Sequence, residues 1–117
     1  MPVGSERWAE ATANAFGMLK MEECAEVAKP EWWNDEELKS LSARVVRAAP
    51  NHGPANFMRA WVLGAMRWPW EAGPRSAAEF REAAAHFDRS AALSDAPALT
   101  ADYTDAAELC LRMAEII

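Results

Sequence analysis

The sequence predicts an all-α fold of about five helices, folded as antiparallel hairpins that stack on one another. Three observations carry this. Alanine is abundant and β-branched residues are few, a balance that favours helix over strand. Breaks at Pro30, Pro50–Pro54, Pro69–Pro74 and Pro97 leave segments of helical length between them. The stretch 54–68, PANFMRAWVLGAMRW, is apolar around most of its girth when wound as a helix, so other helices must wrap it. It is too short and too charged to span a membrane. A chain of 117 residues, 51% hydrophobic, fits one domain over residues 1–117 that buries roughly two-thirds of its unfolded surface.

Residues 5–29 form the first helical region. Trp8, Ala11, Ala15, Met18 and Ala25 supply its expected stripe, with Glu22 interrupting. Gly17 costs about 1 kcal/mol relative to alanine inside a helix. The region therefore reads as one helix or as two broken near Gly17, and Pro30 ends it. Trp32 and Trp33 then either cover the end of the core or present one ring to a partner. The second helix starts at Asn34, with Glu37 three residues later in capping-box spacing and acids filling the first turn. Leu38, Leu41, Val45 and Ala48 make its buried stripe, and Pro50–Pro54 stops it.

The central helix spans 54–68, with Asn56, Arg59, Leu63 and Arg67 expected on one outer arc. Arg59, Leu63 and Arg67 fall at i, i+4 and i+8, which aligns them as a candidate ionic patch or as arginines paired with nearby acids. The following loop carries Trp68, Trp70 and Arg75 and is longer than a tight hairpin needs, so it reads as a binding loop or a tryptophan-stapled structural one. Ser76 and Glu79 form a capping box for the fourth helix, whose expected stripe is Phe80, Ala84, Phe87 and Ala91. The fifth helix runs from Pro97 to the end on Leu99, Tyr103, Ala106, Cys110, Met113 and Ile117. Leu109 and Ile116 lie off that stripe, which predicts contact beyond the chain's own core: a dimer mate, a larger assembly or further chain.

Net charge is −6, unevenly spread: +2 over residues 51–75 and −5 over 76–117. No Lys/Arg cluster marks a nucleic-acid or membrane-surface site, so neither nucleic acid nor membrane insertion is expected. The mildly basic middle suits an acidic peptide or a carboxylate. Cys24 and Cys110 lack metal or redox spacing and read as buried thiols. Glu6 and Glu10 interrupt the N-terminus and no apolar run follows, which predicts an intracellular location. Phosphate loops and hydrolase or metalloprotease motifs are absent, and His86 reads as an exposed i, i+4 partner of Glu82. No catalytic centre, metal or cofactor is therefore expected. A small-molecule carrier with a pocket among Met58, Trp61, Met66, Trp68 and Trp70 is the alternative to a protein-binding scaffold.

Two helix ends look alike: Leu38, Ser42, Val45 and Pro50, then Ala83, Phe87, Ser90 and Pro97. With Phe57 early in the central helix, residues 35–117 resemble the tetratricopeptide repeat family. Phe57 stands where the family keeps a first-helix tryptophan, Ala83 and Phe87 where it keeps a second-helix alanine and aromatic, and Pro50 at the closing proline. Trp61 and Gly64 depart from the pattern, and the interval from Pro50 to Pro97 is longer than the family's repeat. The resemblance implies a stacked-hairpin scaffold that binds a protein or peptide, alone or as a homo-oligomer or complex subunit. It also implies a groove at Ala55, Met58, Val62 and Ala65, apolar or filled by another helix.

Overall fold

Each helix starts where a side chain satisfies its free N–H groups, or where a proline has no N–H to satisfy. In the computed structural model, which describes residues 2–21, 28–65 and 67–117, five helices follow this rule. Ser5 Oγ accepts from the Trp8 N–H at the start of α1 (Glu6–Leu19). Asn34 Oδ1 accepts from Glu37 N–H, 3.0 Å, before α2 (Asp35–Ala48). The Ser76–Glu79 box closes in both directions, at 2.9 and 3.1 Å, before α4 (Ala77–Leu93). Helices α3 (Gly53–Gly64) and α5 (Pro97–Ile116) instead carry proline in their first turn. No strand occurs among the described residues, and no helix is long and apolar enough to cross a membrane.

The central helix organises the rest, as its composition requires. One apolar cluster joins α1, α2 and α3 through Ala9, Ala13, Phe16, Leu38, Val45, Ala55, Met58 and Val62. A second joins α3, α4 and α5 through Ala60, Leu63, Phe80, Ala83, Phe87, Ala107 and Cys110. Trp61 packs against both. Short connections after α2 and α4 fold each helix back on the one before it.

Three expectations about these elements need correction. The first helix ends at Leu19 and passes through Gly17 unbroken; the rest of its expected stripe, Ala25, lies outside the described residues. Its buried face is Ala9, Ala13 and Phe16, while Ala11 is exposed and Met18 is 65% exposed. Burying the Phe16 ring removes far more apolar surface than burying alanines, so the ring sets the rotation of the helix.

The central helix stops at Gly64, four residues early. Beyond the Ala65 N–H, which closes on Trp61 O at 3.1 Å, the carbonyls of its last turn take donors from other segments. Trp68 Nε1 donates to Trp61 and Val62 O, each at 3.1 Å; Arg75 Nη2 donates to Val62 O at 2.8 Å; Cys110 Sγ lies 3.3 Å from Gly64 O. Finally, Leu99 and Ile117 do not belong to the buried stripe of α5; they are 46% and 58% exposed. Cys110 of that stripe is buried as expected, with Tyr103, Ala106 and Met113 packed against the same cluster; Ala107 and Ala114 join it, because small side chains let α5 approach closely.

Candidate functional site

The residues expected on one outer arc of α3 are pulled apart by the fold. Leu63 is 1% exposed, deep in the second cluster, and Asn56 is 2% exposed. Asn56 Nδ2 donates to the carbonyls of Pro50 and His52, at 3.0 and 3.1 Å, which locks the turn before α3. Its Oδ1 then accepts from His86 Nδ1, 2.9 Å away, so that nitrogen carries the ring proton. His86 is accordingly half-buried rather than exposed, although Glu82 does lie 3.5 Å from its Nε2. Burial lowers the His86 pKa, with the Arg59 charge adding to this and Glu82 opposing it.

Arg59 is a tie between helices. It donates to Glu82 Oε2 at 2.8 Å, to Lys39 O at 2.7 Å and to Ser42 Oγ at 3.1 Å. Arg67 lies beyond the end of α3, exposed, with no ion pair or hydrogen bond among the described residues. No shared ionic patch of Arg59, Leu63 and Arg67 therefore forms.

The loop after α3 is stapled down. Trp70 lies 5.4 to 6.1 Å, ring to ring, from Phe16, Trp33 and Trp61. Its indole N–H donates to Asp35 at the start of α2. The Arg75 guanidinium, whose side chain is 2% exposed, grips the same carboxylate and lies 4.7 Å from the Trp68 ring. These three side chains hold α2, α3 and the loop together, which favours the structural reading over the display one. Trp32 and Trp33 likewise pack against the first cluster.

Accessible apolar surface gathers elsewhere, in a groove of about 530 Å³. Phe57, Trp61, Gly64 and Ala65 of α3 and its end form one wall, and Leu99, Tyr103, Ala106 and Leu109 of α5 the other, with Phe87 also lining it. The Phe57 ring lies 5.4 Å from Tyr103 and 6.1 Å from Phe87. Charge sits at three points. Arg67 and Asp102 line the groove, and Lys20 Nζ lies 5.2 Å from the Phe57 ring and 5.0 Å from that of Trp61. Burial lowers the Lys20 pKa. Leu99 and Leu109 are 46% and 40% exposed, so the α5 wall opens to solvent.

Of the expected pocket residues only Trp61 lines this groove. Met58 is fully buried, Trp68 and Trp70 belong to the stapled loop, and Met66 lies outside the described residues. The positions implied by the repeat resemblance, Ala55, Met58, Val62 and Ala65, are all buried; the first three are covered by the chain's own α1 and α2. The signal for the real groove lay in Leu109, off the buried stripe, and in aromatic Phe57 and Tyr103, whose alignment depends on packing. Ile116 is 75% exposed, further along α5. Cys110 is a buried free thiol, its pKa pushed up to about 11 by burial; Cys24 lies outside the described residues.

Fold and groove together define a small all-helical hairpin domain with an accessible apolar cleft between α3 and α5. No protein-family model matches the chain, and no curated protein or solved structure matches it.

Proposed function

We propose that the chain is a non-enzymatic protein–protein interaction module of stacked helical hairpins, with a tetratricopeptide-like arrangement, that receives an apolar helix between α3 and α5. The observation that carries this reading is the groove itself. Its walls are aromatic and aliphatic, two of its leucines are substantially exposed, and its charges lie at separate points. Such a surface suits the helix-in-groove mode, where apolar anchors enter a cleft and rim charges set orientation. The contact of Phe57 with Phe87, two positions that match the family's pattern, supports the repeat-like reading of α3 and α4.

Ala106 lines the groove, and an arginine there would fill it. A protein partner that co-purifies from source with the wild type should be lost by Ala106→Arg, with helical content and Tm retained. Equal retention by both proteins, or a wild-type monomer with no partner, would refute the reading.

A small-molecule carrier is the second reading, favoured by the groove's volume, which falls within the roughly 300–1,000 Å³ of ligand pockets. An apolar carboxylate that quenches tryptophan fluorescence in the wild type but not in Ala106→Arg would support it.

A further inference from the structure

We propose that the occupant of the groove is α5 of a second copy of this chain, the two helices pairing antiparallel about a two-fold axis. This rests on the reading of the groove as a protein-docking site and names what docks there. Leu99, Asp102, Ala106, Leu109, Met113 and Ile116 recur at alternating intervals of three and four residues. That is the 3.5-residue seam of a helix lying along another helix. The fully buried residues of α5, Ala107, Cys110 and Ala114, lie on a different line, while Ala106 and Met113 of the seam are half-buried against the same cluster. On the seam, Leu99, Leu109 and Ile116 are 46%, 40% and 75% exposed. The seam also borders the groove, since Leu99, Asp102, Ala106 and Leu109 line it.

Charge fixes the occupant and its direction. Asp105 and Arg112 flank the seam on one side, seven residues apart. With the two-fold axis passing between residues 107 and 108, Leu99 faces Ile116 of the partner subunit and Ala106 faces Leu109 of the partner subunit. Asp105 then comes beside Arg112 of the partner subunit, and symmetry makes this pair twice. Within one chain these groups are underused. Arg112 reaches only Glu108, at 3.8 Å, with the two side chains 70% and 61% exposed. Asp105 has no partner among the described residues. A parallel pairing would instead set the two Asp102 carboxylates in one layer, which opposes it. The acidic α5 also suits the far wall of the groove, which carries the unpaired Arg67.

Sedimentation of the 117-residue chain across micromolar concentrations tests this. The wild type should sediment as a dimer. Asp105→Arg and Arg112→Asp should each weaken it by about tenfold or more, because each sets like charges together twice. The double variant, Asp105→Arg with Arg112→Asp, should recover most of the affinity. Leu109→Asp should give a monomer with unchanged circular dichroism, since that side chain lies outside the core. A wild-type monomer would overturn the inference, as would a double variant no tighter than the single ones. If such a monomer still bound a foreign protein through the groove, and Ala106→Arg lost it, the docking reading would stand and only the second copy would fall. A monomer without any partner would sink both.

Discussion

Asp35 accepts four hydrogen bonds: two from Arg75, at 2.6 and 3.0 Å, and one each at 3.0 Å from Trp70 Nε1 and the Gly73 N–H. Burial alone would raise its pKa. The Arg75, Trp70 and Gly73 donors and the Arg75 charge outweigh that and hold the carboxyl well below the usual carboxylate range. A depressed carboxylate adds stability above the unfolded pKa of about 3.9, and that stability is lost as pH falls toward the folded value. Asp35→Ala should therefore cost about 2–4 kcal/mol at pH 7 by urea denaturation, because the buried guanidinium loses its counter-charge. The gap between wild type and variant should narrow progressively below pH 4. A gap of the same size at pH 7 and pH 3 would show that the charge plays no part. The sequence displayed Asp35 as a helix-start acid, which it is. Arg75, 40 residues on, could not be read as its partner, because the two meet only after α3 has been laid down between them.

At the scale of elements, what was legible follows from what is local. The Asn34 and Ser76 caps and the prolines opening α3 and α5 need only neighbours within a turn, and each stands where expected. The end of α3 was not legible, since Trp68, Arg75 and Cys110 supply its terminal donors from other segments. Glycine shows the same division. A Cβ built on Gly17 would meet nothing within 4 Å, whereas one on Gly64 would lie 2.5 Å from Ala83 Cβ and 2.7 Å from Cys110 Sγ. Helices α3, α4 and α5 meet at Gly64, with no room for a methyl group. Gly17→Ala should stabilise the protein by about 0.5–1 kcal/mol through helix propensity. Gly64→Ala should destabilise it by about 1–3 kcal/mol, overpacking outweighing that same gain. Thermal unfolding of the two variants would decide it; shifts of the same sign would contradict the close packing of the three helices.

For the whole molecule, the question is whether two apolar clusters make two folding units or one. The radius of gyration, 13.5 Å, matches the roughly 13.4 Å expected of a closed domain of this length. Helix α3 supplies residues to both clusters, and Trp61 packs against each. Losing either half would expose one side of α3 and leave Trp61 half-uncovered, so neither half has a complete core alone. The aromatic residues make this testable, because they are placed unevenly. Trp8, Trp32, Trp33, Trp61 and Trp70 all pack against the first cluster, whereas α4 and α5, the two longest helices, border the second. Tryptophan fluorescence therefore follows the α1–α3 half, and far-ultraviolet circular dichroism is weighted toward the α4–α5 half. If the clusters are coupled through α3, guanidinium unfolding followed by the two signals should give coincident transitions with one midpoint. A shift of that midpoint with protein concentration, as dimerisation would cause, should move both signals together. Helical signal persisting after tryptophan fluorescence has reached its unfolded value would mean that α4 and α5 stand without the first cluster, and that α3 does not couple the halves.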